Sequence, residues 1–165
     1  MASTEWKNTL VEFLSGYTKL VIIGVGNELR GDDVVGLKIV EGLQKAAKRN
    51  DVSLVLAGSV IENYIGPVLR EQPSHILICD AVATATYPAG TILTLRPEEL
   101  ESSFHSSHTM PLSFFLQLVS NEQPLKALGL AIVAQQIGIG DKMSQIVAKS
   151  VADVVGSLQS MLATL

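Results

Sequence analysis

A single cysteine, Cys79, stands among the 165 residues. No disulfide can therefore form within the chain, and a reducing compartment is expected. Charge is sparse: charged residues make up 17%, the net charge is −4, and lysine and arginine nowhere cluster. That balance argues against nucleic acid and anionic membranes as partners, because both attract basic patches. No apolar run approaches the ~18 residues of a membrane span, and residues 1–7 lack the basic and apolar regions of a signal peptide. A cytoplasmic protein without membrane insertion is expected. Repeats and low-complexity segments are absent, and the length suits one domain, 1–165, burying roughly 70% of its unfolded surface.

Several catalytic signatures are missing too. The chain has no His-Glu-x-x-His helix of a resident-zinc peptidase and no Ser-His-Asp or Cys-His arrangement for a covalent intermediate. Gly24, Gly26 and Gly31 do not fit G-x-G-x-x-G, so a nucleotide-binding module has little support. What is abundant is apolar residue, 47% of the chain; with so little charge to cover the surface, some apolar surface is expected to meet a partner.

Apolar periodicity and breakers predict a leading helix over 4–14, a strand over 20–24 and a core-facing helix over 33–48 with Gly36, Val40, Leu43 and Ala47 on one stripe. A strand over 52–56 and a short helix over 62–71 follow. The run Ile76-Leu77-Ile78-Cys79 stops at Asp80, as a parallel strand buried on both faces would, and is the expected sheet centre. After the turn at Tyr87-Pro88-Ala89-Gly90, residues 91–95 read as an antiparallel edge strand, since only a short connection precedes them. Pro111 opens a helix to about 119, residues 128–133 form a last strand, and 144–162 a closing helix. Such alternation predicts an α/β fold: a three-layer α/β/α sandwich around a five-stranded, mostly parallel sheet.

Ligands of such sheets bind beyond the carboxyl ends of the strands. Three places meet there: the loop 26–33, Asp80, and the segment containing His108. A strand, a glycine turn and a helix start would normally attract phosphate. Here the acid pair Asp32-Asp33 fills the position, which favours a cation or a reacting group instead. An acid in a first helical turn is ordinarily a dipole partner; Asp32, one residue earlier, suits that capping role, leaving Asp33 to face the crevice. Asp80 follows four apolar residues, where a carboxylate is costly to bury without a partner, although it could simply cap the loop 81–86. His108 precedes the proline-initiated helix; alone it would read as a loop histidine, and His105 offers a rival His-x-x-His pair. His75 lies at the amino end of its strand and reads as structural. Cys79 points to the face opposite Asp80 and reads as core. Glu62 and Asn63 could reach the crevice rim. Two aspartates and a histidine would suit a borderline divalent metal such as nickel or zinc.

The ordered set Gly24-Val25-Gly26-Asn27 with Gly31-Asp32-Asp33, Ala57-Gly58-Ser59 with Glu62-Asn63-Tyr64, Ile78-Cys79-Asp80-Ala81 with Pro88-Ala89-Gly90, and Ser107-His108-Thr109-Met110-Pro111-Leu112 resembles the hydrogenase maturation endopeptidases, in particular the branch serving formate hydrogenlyase and archaeal-type enzymes. These trim the C-terminal tail of the large-subunit precursor of nickel–iron hydrogenases. The resemblance implies that Asp33, Asp80 and His108 form a nickel-sensing site, that no metal is resident, and that nickel arrives bound to the substrate. For hydrolysis two routes stay open, a metal that polarises the scissile carbonyl or a carboxylate, Asp33 or Asp80, that activates water while the metal positions the tail; a monomer is expected. A non-catalytic nickel carrier using the same trio is the alternative. The chain departs from the family pattern at Val34 (often glycine), Ile61 (commonly proline) and Ala134-Gln135-Gln136 (which lacks a usual proline).

Overall fold

In the computed structural model, which describes residues 2–46, 48–100 and 110–165, the apolar runs become strands and the periodic segments helices. The strands are β1 (Leu20–Val25), β2 (Val52–Gly58), β3 (His75–Val82), β4 (Ile92–Leu95) and β5 (Lys126–Val133). They form one sheet in the order β2-β1-β3-β5-β4, parallel throughout except for the antiparallel pairing of β4 with β5. The run expected at the centre is at the centre, and the edge strand is the antiparallel one. β1 and β3 are buried along their whole length, which explains their lack of apolar–polar alternation.

The helices are α1 (Ala2–Leu14), α2 (Val35–Gln44), α3 (Ile65–Glu71), α4 (Leu112–Glu122) and α5 (Gln145–Thr164). Side-chain alternation on β3 sorts them into two layers. Leu77 and Cys79 join a core with α1, α2 and α5, while Ile76, Ile78 and Val82 join one with α3 and α4. Ile22, Ile23, Leu77 and Ile78 are completely buried, each contributing about 1.5 to 3 kcal/mol by burial. The sandwich is thus the predicted one.

Three expectations are corrected. The helix predicted over 33–48 spans only Val35–Gln44, preceded by a 3-10 turn at Gly31–Val34; Ala47 lies outside the described residues. α2 also approaches the sheet closely at Gly36, where a Cβ would stand 2.1 Å from the Cys79 carbonyl oxygen. The strand predicted to stop before Asp80 runs on to Val82, paired with β5 as far as Val133, so Asp80 lies within β3. Pro111 is the N-cap of α4, not its first residue. By length and composition alone, α5 is long and apolar enough to cross a membrane, although Lys149 and Asp153 interrupt its apolar residues. In the fold its stripe Val147, Val151, Val154, Leu158 and Leu162 is buried, packed against α2, as one face of an amphipathic helix would be.

Candidate active site

Beyond the end of β1 the chain must turn sharply, and Gly26 permits it with φ at +152°. A Cβ there would lie 2.0 Å from the carbonyl oxygen of Asp33, so a side chain at 26 would displace Asp33. The same carbonyl accepts the Asn27 N–H at 3.2 Å, and the Asp33 N–H donates to the Arg30 carbonyl at 3.0 Å. Asp33 is therefore positioned by its own backbone, half-buried, on a 3-10 turn that touches β3.

Asp32 does something else. Its side chain is wholly buried and accepts the N–H groups of Gln135 (2.8 Å), Gln136 (3.0 Å) and Ser144 (2.6 Å), together with the Ser144 hydroxyl. This overturns its expected role as cap of the helix that follows it in sequence. It binds instead at the N-terminus of α5, whose N-cap residue is Ser144, because the loop 134–144 folds over the 3-10 turn. Backbone bonds complete the clasp: Gly31 N–H to Asp141 at 3.1 Å, Asp32 N–H to Gln136 at 2.8 Å and Gly140 N–H to Leu29 at 2.8 Å. Ala134 donates to Val82 at 2.8 Å, so a proline at 134, 135 or 136 would remove a donor in use. That gives the absent proline a physical reason.

Asp80 is 1% exposed, and its Oδ1 accepts the N–H of Ala81 at 2.8 Å. It shares a strand face with Ile78 and Val82, toward α3 and α4. The β1–β3 register ends with Gly24 opposite Cys79, one residue before Asp80 on β3 and two before Gly26 on β1, and the Gly31–Val34 turn touches β3. The elements bearing Asp33 and Asp80 thus meet at the carboxyl ends of β1 and β3. Cys79, on the opposite face, is fully buried; burial and then the Asp80 charge push its thiol well up, which removes it as a thiolate nucleophile or ligand at neutral pH. His108 and its rival His105 lie outside the described residues. Past them, Leu112 and Phe115 of α4 pack in the same core as Ile78 and Val82. Glu62 is part-buried in the 3-10 turn Ile61–Tyr64 that follows β2. His75 starts β3 at the far end of the sheet, its Nδ1 2.9 Å from the Ser74 hydroxyl and its ring edge-on to Phe13, a structural role as expected. Among the described residues no three His, Cys, Asp or Glu side chains are grouped as metal ligands.

Residues 37–161 match the family model for hydrogenase maturation protease. The chain belongs to the hydrogenase maturation protease family. The Escherichia coli (strain K12) hydrogenase 3 maturation protease is 29% identical over 140 residues, 84% of this chain and 88% of that one. A candidate hydrogenase maturation protease of Methanocaldococcus jannaschii is 34% identical over 119 residues, covering 67% of this chain and 69% of its own. Among solved structures, the NiFe hydrogenase maturation protease HycI of Thermococcus kodakarensis superposes with a TM-score of 0.86 at 22% identity, over 94% of this chain and 99% of that one. The endopeptidase HycI of Escherichia coli gives 0.76 at 27%, over 86% and 90%. Membership makes this maturation protease a hydrolase of peptide bonds. Its clasp of Asp32 on Gln135, Gln136 and Ser144 escaped sequence reasoning, since backbone donors more than 100 residues away carry no residue-type signal; only Ser144 offers a side chain to notice.

Proposed function

We propose that this maturation protease removes the C-terminal extension of a nickel–iron hydrogenase large-subunit precursor after nickel insertion. Asp33, Asp80 and His108 recognise the nickel that the substrate carries. The observation supporting the reading is the meeting of the Asp33 turn with the Asp80 strand at the carboxyl edge of the sheet, in a chain of this family. Carboxylate and imidazole suit nickel and leave coordination positions for ligands from the precursor. A precursor without the metal would lack that part of the binding energy, so docking reports whether insertion is complete. For hydrolysis, water attacks the scissile carbonyl carbon, one carboxylate takes its proton, and that proton passes to the leaving amine nitrogen. Asp33, being half-buried, has the better access to water; Asp80, almost wholly buried, is the more rigidly held ligand.

The experiment is to incubate the purified protein with precursor, with and without nickel, and weigh the products. Loss of the tail only in the nickel-loaded sample is expected. Asp33→Asn and His108→Ala should each lower cleavage about 100-fold or more, while His105→Ala is mild. Wild-type cleavage by His108→Ala together with a loss in His105→Ala would transfer the role to His105, and an intact tail with the wild-type protein would favour the carrier alternative. Cleavage of metal-free precursor at the same rate would overturn nickel recognition.

A further inference from the structure

The two most exposed large apolar side chains among the described residues are Ile139 at 83% and Leu29 at 71%. They are far apart in sequence yet belong to one structural unit. The Gly140 N–H donates to the Leu29 carbonyl at 2.8 Å, which brings Ile139 next to Leu29 along the backbone. On either side the two loops are pinned: Arg30 Nε reaches the Ile137 carbonyl at 3.2 Å, the Gly31 N–H reaches Asp141, and the buried Asp32 carboxylate holds Gln135, Gln136 and Ser144.

Single exposed leucines and isoleucines are ordinary on protein surfaces. Two of them on a braced platform are different, because ordering them in advance lowers the entropy cost of a contact. The charged residues Glu28, Asp141 and Lys142 stand exposed around them, giving the apolar centre and polar rim of a protein contact site. The platform is also continuous with the site, Leu29 being on the same loop as Asp33. Leu29 stands two residues before the Gly31–Val34 turn that carries Asp33, so a partner seated on the pair is one that comes to that turn.

We infer that Leu29 and Ile139 grip an apolar surface of the hydrogenase precursor next to its scissile tail and set the affinity for substrate. This rests on the processing function proposed above. A contact made equally with the bound substrate and with the transition state lowers KM without raising kcat, as a grip on a surface that takes no part in the reaction would.

The test is steady-state cleavage of nickel-loaded precursor by the full chain and by Leu29→Ser/Ile139→Ser. KM should rise about tenfold, as truncated interface centres do, with a smaller change in kcat. The thermal midpoint should stay put, since both side chains are in water, and Leu29→Met/Ile139→Met should restore KM. An unchanged KM in the serine variant, or a loss confined to kcat, would overturn the inference while the processing function stands. A wild-type protein that leaves the tail intact would overturn the processing function itself. Sedimentation of both proteins covers the remaining occupant: a wild-type dimer that the serine variant dissolves, with KM unmoved, would assign the pair to self-association and overturn the inference.

Discussion

At the amino end of the sheet, charge is handled in water: Arg49 meets Asp51 and Lys19 meets Glu71, each at 2.8 Å, with all four side chains part-exposed. At the carboxyl end the acids are inside. Asp32 and Asp80 are buried to 0% and 1% exposure, and the hydrogen bonds to Asp32 come from neutral N–H and O–H groups. Exposed pairs cost little and stabilise little, typically about 0 to 1 kcal/mol. A buried carboxylate is tolerated only where several donors are built around it. The difference teaches where this fold departs from what packing alone requires, and it is the end where Asp33 and the clasped loops also lie.

The contrast can be broken most severely at Asp32. Asp32→Ala would strand buried donors at about 1 to 3 kcal/mol each, so a loss of about 3 kcal/mol or more in denaturant unfolding is expected; Asp33→Asn, next in sequence but half-buried, should change stability by about 0.5 kcal/mol or less. Equal losses at the two positions would erase the distinction between clasp and site. Gly36→Ala comes next. Its added Cβ meets the Cys79 carbonyl, and overpacking of this kind costs about 1 to 3 kcal/mol, readable in the same titration and expected to lower cleavage by shifting α2 away from β3.

Smaller effects sharpen the other end. Burial, followed by the nearby Lys126 charge, lowers the pKa of His75. The unfolded chain then binds the proton first, so stability present above about pH 6.5 is lost as the pH falls below it, with a slope of at most about 1.4 kcal/mol per pH unit. His75→Gln should flatten that slope in melts taken between about pH 7 and pH 5. Asp51 is the mildest case. The Arg49 guanidinium chiefly holds its carboxyl down at about 2 from 3.8, so its stabilisation is present above pH 3.8 and lost as the pH falls through about 2. Because the pair is part-exposed, Asp51→Asn should cost only about 0.5 kcal/mol near neutrality, and acid titration of both proteins should show their stabilities converging as the pH falls toward about 2.

Much of the fold was legible because it depends on local apolar patterning. The unbroken run before Asp80 marked the central strand, and the short connection that ends at Gly90 marked the antiparallel edge. Strand and helix ends were less legible. β3 continues through Asp80 because β5 pairs with it to Val82, and α2 begins late because the loop 134–144 pulls Gly31 and Asp32 into a tighter turn. Within the site, the cap expected of Asp32 on the helix that follows it gave way to donors more than 100 residues away, which position along the chain does not reveal. His108 was marked by the family motif, and it falls outside the described residues.

By itself, then, the order of residues determined the layers, the strand at the centre and the family, since periodicity and short motifs are properties of neighbouring residues. Only the tertiary structure decided that Asp32 would clasp the start of α5, that Asp80 would lie inside its strand, and that Leu29 would stand beside Ile139. Each of those depends on backbone groups brought together across more than 50 residues of chain, and a backbone N–H or C=O is the same at every position in a sequence until folding chooses its partner.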